Sequence, residues 1–143
     1  MTESILGFSG EHRWLSNFWP CHVQFEGVSY PSVENAYQAA KFPEHMRKPF
    51  VEITPGQAKR LARSNGASMR ADWEEVKRSV MWGLLVKKFE DPDLEAKLLA
   101  TGDAYIEETN TWGDTHWGRC NGKGDNILGV MLMTIRDAKR SFK

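Results

Sequence analysis

Apolar residues recur along the chain at spacings that predict five helices. In the clearest of these, Trp73, Val76, Val80 and Leu84 share one face, because a helix returns to the same side every three or four residues. Capping residues and first-turn prolines mark the other helix starts. The predicted helices span residues 32–42, 54–66, 72–89, 91–102 and a last segment that begins at 125 or 126.

Shorter apolar runs predict strands. Residues 4–8 have this character, residues 22–25 and 28–30 flank a tight turn, and residues 104–106 are expected to join the opening segment. No strand-helix alternation is long enough for a doubly wound sheet. The pattern therefore predicts an α+β fold, mostly helical with a small β-sheet. The length suits one buried core, so a single domain is expected over residues 1–143.

Composition narrows the classes of function. Nineteen Lys and Arg residues balance nineteen Asp and Glu residues, so the chain lacks the overall basic field that drives nonspecific nucleic-acid binding. No segment approaches the roughly 20 apolar residues needed to cross a bilayer, and no secretory signal is visible. We therefore expect a cytoplasmic protein with no membrane partner. The two distant cysteines predict reduced thiols rather than a disulfide framework.

Residues 109–126, TNTWGDTHWGRCNGKGDN, concentrate side chains that can carry chemistry. A zinc site needs about four ligands, whereas this stretch supplies only His116 and Cys120, so no metal is expected. Its glycines match neither the dinucleotide fingerprint nor the P-loop. The amides that begin the following helix, together with Lys123, could nevertheless receive an anion.

Asp114 lies in the same stretch, between Trp112 and Trp117. One interpretation makes it a carboxylate in an aromatic-rich pocket. The other makes it an aspartate that satisfies the amides of a turn, which is the commoner use of this residue in loops.

The helix over residues 32–42 carries a narrow polar stripe. At about 100° per residue, Glu34, Gln38, Lys41 and His45 fall within roughly 60° of one another if the helix continues that far. Periodicity alone favours a solvated face with helical side-chain pairs. The alternative is a stripe that faces a cleft. There Glu34, held ionised near the positive end of the helix dipole, would stabilise positive charge or act on water.

Arg70 and Trp73 flank the start of the next helix. Trp73 lies on the apolar stripe, which favours a core position. An indole at a helix start could instead stack on a planar base while Arg70 pairs with a phosphate. The sequence pattern leaves both interpretations open.

An ordered series of blocks that covers nearly the whole chain resembles the NADAR, or YbiA-like, family. The blocks are Leu15–Phe18, Ser32–Phe42, Met69–Glu74, Lys88-Phe89, Leu98–Gly102, Asp114-x-x-Trp117-Gly118, and Gly124–Gly129 followed by Leu132-Met133. The resemblance implies a compact α+β domain that hydrolyses N-glycosidic bonds. No metal or cofactor is expected, because side chains can supply the protonation and charge stabilisation.

The resemblance also implies a small-molecule ribosylated or phosphoribosylated substrate. Phosphoribosyl aminopyrimidine intermediates of riboflavin synthesis are the first expectation. The alternative within the same class is removal of ADP-ribose from modified guanine, which would make ADP-ribosylated nucleic acid a partner. A noncatalytic module that binds ADP-ribose or a nucleotide is a third possibility.

The family's catalytic residues fall on Glu34, Trp73 and Asp114 of this chain. Cleavage of a ribosyl C–N bond develops oxocarbenium character, which one carboxylate can stabilise while another activates water. Glu34 and Asp114 are expected to share these two roles, unassigned between them. Trp73 is expected to stack on the leaving base or the ribose.

Further residues are expected to bind substrate. Arg70, Lys41 and Lys123 are candidates to hold a phosphate, and the set is completed by Gln38, Glu107 and Trp117. The family's glutamate after the penultimate strand matches Glu107. Asn35 replaces the histidine often found after the helix glutamate, a change expected to affect substrate choice rather than chemistry.

Overall fold

A computed structural model describes residues 3–142 and confirms the predicted α+β fold. Five α-helices lie within these residues: α1 (Val33–Ala40), α2 (Pro55–Ser64), α3 (Trp73–Lys88), α4 (Pro92–Ala100) and α5 (Ile127–Ser141). Each corresponds to a predicted helix, with ends that differ by a few residues. Short 3-10 helices, such as Gly10–Leu15, were not predicted. No helix in this part of the chain is both long enough and apolar enough to span a membrane.

The described residues form six short strands: β1 (Ile5–Leu6), β2 (Val23–Phe25), β3 (Val28–Tyr30), β4 (Ile106–Glu107), β5 (Thr109–Asn110) and β6 (Arg119–Cys120). They pair as three two-stranded sheets. The β2–β3 hairpin is antiparallel. β1 pairs with β4, as the sequence predicted, and the two strands run parallel. The parallel pair of β5 with β6, inside the glycine-rich stretch, was not predicted.

By its internal contacts the chain forms two compact units. Unit 1 consists of the described residues of Met1–Ser16 and Phe89–Lys143, and unit 2 is Asn17–Lys88. The prediction of a single domain over the whole chain stays a prediction.

Unit 2 is built around α1, all eight residues of which are buried. This helix packs against α2, α3 and the β2–β3 hairpin. Its small residues Ala36, Ala39 and Ala40 let neighbouring elements approach closely. Ser32 caps the helix, since its Oγ accepts a hydrogen bond from the amide of Asn35 at 3.0 Å. The helix ends before Pro43, whose ring is incompatible with a helix interior.

Asn35 connects α1 to the segment that precedes α2. Its Nδ2 donates to the carbonyl oxygens of Phe50, at 2.9 Å, and Ile53, at 2.8 Å. Its Oδ1 accepts from the hydroxyl of Ser32 at 2.5 Å. The side chain is fully buried, so its polar atoms are used in packing within unit 2.

Two helix starts follow their predicted signals closely. At α2, Thr54 and Gln57 form a reciprocal capping box, with Pro55 in the first turn. At α4, the side chain of Asp91 accepts hydrogen bonds from the amides of Asp93 and Leu94. These caps satisfy amides that have no partner inside the helix.

Unit 1 is organised by α5, which packs against β4 and α4. Leu128, Leu132 and Ile135 form the buried stripe of this helix, as its periodicity predicted. Gly129 lies where a Cβ atom would come 2.2 Å from the carbonyl oxygen of Ile106. Only glycine therefore allows this close approach of α5 to β4.

Asn126 occupies the predicted N-cap position of α5, in the left-handed region at φ 51°. Its side chain does not cap the helix. Instead, Oδ1 accepts from the amide of Glu108 at 3.0 Å and Nδ2 donates to the carbonyl of Ile106 at 2.9 Å. Asn126 thus connects the start of α5 to β4 and to Glu108, the residue that follows β4.

Candidate active site

The predicted site residues are distributed over both units. Unit 2 contains Glu34, Gln38, Lys41, Arg70 and Trp73, whereas unit 1 contains Glu107, Asp114, Trp117 and Lys123.

The polar stripe of α1 is buried. Glu34 is 8% exposed and Gln38 is 5% exposed, so the interpretation as a solvated face is wrong. His45 does not extend the stripe, because α1 ends at Ala40 and His45 lies exposed in the 3-10 helix Glu44–Met46. Burial of a carboxylate and an amide on one helix face is costly unless they have polar partners. The polar atoms of the stripe therefore need partners inside unit 2 or in a ligand.

Glu34 and Gln38 are joined directly across one turn of α1. The Nε2 of Gln38 donates a hydrogen bond to the Oε2 of Glu34 at 2.5 Å. An ionised carboxylate can only accept, so this contact requires the amide nitrogen of Gln38 to face Glu34. The other amide atom, Oε1, is buried and accepts no hydrogen bond within residues 3–142.

Lys41 and two aromatic rings lie at the end of α1. Its Nζ is 5.3 Å from the ring centroid of Tyr37 and 5.9 Å from that of Trp73, within the range of cation–π attraction. The two rings meet edge to face with centroids 5.0 Å apart. Trp73 is 3% exposed, in agreement with the core interpretation, yet it also borders the ammonium group that was predicted to bind phosphate.

Tyr37 was missed as a site residue by the sequence analysis. A signal was present, because Tyr37 lies four residues before Lys41 and such pairs are neighbours on a helix.

The charge at Lys41 is influenced by residues of three helices. Burial lowers the pKa of Lys41, the carboxylate of Glu34 opposes that shift, and the ammonium groups of Lys59 and Lys77 reinforce it. Glu74, which pairs with Lys77 at 2.7 Å, also opposes the shift. A bound anion would relieve the repulsion that Lys59 and Lys77 exert on Lys41. Lys59 and Lys77 lie on α2 and α3, and nothing in their sequence spacing indicates that they act on Lys41.

Arg70 is held in place next to Lys41. Its backbone amide donates to the carbonyl of Lys41 at 2.7 Å. Its guanidinium donates two hydrogen bonds to Asp72, at 2.6 and 3.0 Å, and this pairing raises the pKa of Arg70 and lowers that of Asp72. A phosphate bound by Arg70 would therefore share the guanidinium with Asp72.

In unit 1, Asp114 forms the turn that one interpretation predicted. Its Oδ1 accepts hydrogen bonds from the amides of His116, at 3.1 Å, and Trp117, at 2.9 Å. Both contacts fall on the same oxygen. Oδ2 has no hydrogen-bond partner among the described residues, so one carboxylate can both shape the turn and offer an oxygen to a ligand.

The glycine-rich stretch is closed by the buried side chain of Asn110. Its Nδ2 donates to the carbonyls of Asp114, at 2.9 Å, and Arg119, at 3.2 Å, and its Oδ1 accepts from the amide of Asp114 at 3.0 Å. Gly118 permits this closure, since a Cβ there would lie 2.1 Å from the carbonyl oxygen of Glu108. We call Asn110 and its three backbone contacts to Asp114 and Arg119 the Asn110 clamp; a longer contact of 3.4 Å joins Nδ2 to the carbonyl of Glu108. Nothing in the sequence pattern indicated this clamp.

The amides at the start of α5 are already hydrogen-bonded, so they are not free to receive an anion. Four successive N–H groups donate to carbonyls of the preceding loop: Asp125 to Thr115, Asn126 to Gly118, Ile127 to His116, and Leu128 to Trp117. The distances are 2.8, 3.2, 3.1 and 3.0 Å, respectively. Lys123 is exposed, and its backbone pairs with that of Cys120.

Glu107 lies at the end of β4 with both carboxylate oxygens engaged. Oε2 accepts from the hydroxyl of Thr109 at 2.5 Å, and Oε1 accepts from that of Tyr105 at 2.8 Å. The guanidinium of Arg119 is 3.9 Å away. The Thr109 hydrogen bond is the main cause of a lowered pKa at Glu107, with further contributions from Tyr105 and Arg119. These contacts favour an ionised carboxylate.

Trp117 is half-buried, and its ring meets that of His116 edge to face at 4.6 Å. Cys21 and Cys120 are half-buried, and neither forms a disulfide. Across residues 3–142, no three His, Cys, Asp or Glu side chains gather as a metal site would require.

The model of the NADAR domain matches residues 7–140. The chain belongs to the NADAR family. This NADAR chain is 38% identical over 146 residues to the N-glycosidase YbiA of Shigella boydii, an alignment that covers 96% of this chain and 89% of the relative. A riboflavin biosynthesis protein of Vibrio vulnificus is 36% identical over 130 residues, covering 88% of this chain and 35% of that longer protein.

The fold of this NADAR chain also matches a solved structure. The NMR structure of the Escherichia coli protein YbiA aligns with a TM-score of 0.84 and 32% identity, covering 99% of this chain and 89% of the other. The match supports the α+β architecture on which the candidate site is built.

Proposed function

We propose that this NADAR chain is an N-glycosidase that hydrolyses the C–N bond between ribose, or ribose phosphate, and a base. Family membership and the names of its relatives support the reaction class. The observation that carries the proposal is the buried carboxylate of Glu34, held by Gln38 on the same helix that places Lys41 against Tyr37 and Trp73. A buried acidic group close to a cation and two aromatic rings suits a charged N-ribosyl substrate.

The proposed chemistry is a hydrolysis at the anomeric carbon. The electrons of the C–N bond leave with the base, which takes up a proton, and the oxygen of water bonds to C1′ as its own proton departs. Positive charge develops on C1′ and the ring oxygen in the transition state. Glu34 is suited to stabilise that charge, because its position is restrained by Gln38 and its interaction is strengthened by burial.

For the second carboxylate we propose Asp114, as the family resemblance implies. Its Oδ1 is held by two backbone amides, and Oδ2 would act on water. A carboxylate whose orientation is already determined loses little freedom on forming the reactive geometry. Trp73, which is 3% exposed, is proposed to stack on the leaving base or the ribose.

As the substrate we propose a phosphoribosyl aminopyrimidine. The positive charge of Lys41, Lys59 and Lys77 in unit 2 supports a phosphorylated sugar. The relative that is named as a riboflavin biosynthesis protein supports the pyrimidine. ADP-ribosylated guanine carries phosphates as well, so the two substrates must be separated by experiment.

The purified chain is to be incubated with each substrate, and the released base and sugar phosphate are to be separated by chromatography. Release of both products from the pyrimidine substrate is expected. Glu34→Gln keeps the shape of the side chain but removes its charge, and we expect turnover to fall at least about a hundredfold. Glu75→Gln, at an exposed position of α3, is the matched control and should behave like wild type.

Full turnover by a folded Glu34→Gln protein would show that the proposed carboxylate role is wrong. Release from ADP-ribosylated guanine alone would replace the pyrimidine substrate with the alternative. Binding of either compound without release of a base would instead support the noncatalytic module.

A further inference from the structure

Gln38 differs from the three asparagines that are buried among the described residues. Asn35, Asn110 and Asn126 each use both their nitrogen and their oxygen in hydrogen bonds to the protein. Gln38 uses only its nitrogen, and its Oε1 accepts nothing within residues 3–142. A buried carbonyl oxygen without a donor is rare, because its lost hydration is not replaced.

The orientation of this amide follows from Glu34. With Nε2 toward the carboxylate, a hydrogen bond of 2.5 Å forms. With the amide turned over, Oε1 would face the carboxylate oxygen and two acceptors would repel each other. The unpartnered atom is therefore the oxygen, and its missing partner must be a donor such as a hydroxyl group.

The position of this oxygen indicates which hydroxyl would suit it. Oε1 and Nε2 share one carbon atom, and Nε2 contacts Glu34 directly, so Oε1 lies close to that carboxylate. In the proposed function Glu34 stabilises positive charge at C1′ of the ribose. The 2′-hydroxyl is attached to the neighbouring carbon, and hydrogen bonds to the corresponding hydroxyl strengthen in glycosidase transition states.

Building on the proposed function, we infer that the Oε1 of Gln38 accepts a hydrogen bond from the 2′-hydroxyl of the substrate ribose and makes the enzyme selective for ribosyl over 2′-deoxyribosyl compounds. Gln38 then has two contacts. Its nitrogen positions Glu34, and its oxygen binds the 2′-hydroxyl of the sugar. A site that hydrogen-bonds a substrate hydroxyl discriminates against the analogue that lacks it, since a buried polar group is left without a partner.

The test compares binding and turnover with and without the hydroxyl. Calorimetric titration with ribose 5-phosphate and with 2-deoxyribose 5-phosphate requires no catalysis. We expect wild type to bind the ribose compound about tenfold more tightly or better. Gln38→Met has a similar length but no amide, and it should reduce this preference to about twofold or less. Gln24→Met, at an exposed position of β2, is the control and should retain the preference.

Turnover of the ribosyl N-glycoside and its 2′-deoxy form is measured with the same proteins, each rate divided by the spontaneous rate of its substrate. The wild-type comparison tests the inference even if Gln38→Met does not fold. Equal binding of the two sugars by wild type would overturn it, and so would an equal loss for both sugars in Gln38→Met, which would leave only the positioning of Glu34. A binding preference without turnover would contradict the proposed function and support the role of Gln38. Turnover without a preference for the ribosyl compound would support the proposed function and contradict the role of Gln38.

Discussion

Removal of the Asn110 clamp should lower the free energy of unfolding by an amount that follows from its hydrogen bonds. Asn110→Ala deletes three well-formed hydrogen bonds, of 2.9, 3.0 and 3.2 Å, to backbone groups of Asp114 and Arg119. A neutral hydrogen bond contributes about 1 kcal/mol net, so the sum is about 3 kcal/mol. Water can partly replace the lost partners because Asp114 and Arg119 are half-buried. We therefore expect a loss of about 2 to 3 kcal/mol in the free energy of unfolding.

Urea unfolding at pH 7, followed by circular dichroism, measures this loss. Thr111→Ala is the matched control, because Thr111 is exposed in the same loop, and its effect should stay within about 0.5 kcal/mol. Turnover should fall as well for Asn110→Ala in protein that is still folded, since Asp114 loses two of the contacts that orient its backbone. A difference of less than about 0.5 kcal/mol between the two variants would refute the reasoning that Asn110 holds the loop.

Two further substitutions test other buried features. Burial lowers the pKa of Lys88 to about 8. Between pH 8 and about 10.5 the unfolded chain therefore binds more protons than the folded chain. The free energy of unfolding should rise with pH in this window by up to about 3 kcal/mol. Unfolding measured from pH 7 to 10 should show this rise in wild type and in Lys87→Met, an exposed neighbour. Lys88→Met should show a clearly smaller rise, because the lowered pKa of Lys41 acts in the same direction; a rise of wild-type size in Lys88→Met would exclude Lys88 as its main source. Gly129→Ala should cost about 3 kcal/mol or prevent folding because its Cβ would meet the carbonyl of Ile106. Gly83→Ala, in open space on α3, should instead raise the melting temperature, and equal behaviour of the two glycine variants would contradict this account.

The candidate site divides into parts that the local pattern reveals and parts that it does not. Glu34, Gln38 and Lys41 could be grouped from the sequence because residues three and four apart share a helix face. Whether that face meets solvent or protein could not be decided, because the alanines of α1 are compatible with both. Burial depends on what packs against the helix, and the structure places α1 against two helices and a hairpin.

For the loop of residues 109–126, the local sequence pattern did not predict the structure. Its residues suggested a metal site, an anion site or a turn, and the carboxylate of Asp114 alone could not distinguish them. The structure shows the turn. It is closed by Asn110 and by hydrogen bonds from the amides at the start of α5 to carbonyls of the loop. These contacts join residues up to nine positions apart through Asn110 and link the loop to a helix start. Propensity rules do not describe such irregular hydrogen bonding.

By itself the sequence determined the five helices, the β2–β3 hairpin, the pairing of the opening strand with the strand before the loop, and the family resemblance that the comparisons confirm. These features depend on short-range periodicity, on capping residues, and on the order of motifs along the chain. Only the tertiary structure decided that the polar stripe of α1 is buried, that Tyr37 joins Trp73 beside Lys41, and that the amides starting α5 are occupied. The physical reason is that burial and hydrogen-bond saturation are properties of groups brought together by folding, whereas periodicity records only how one segment is built.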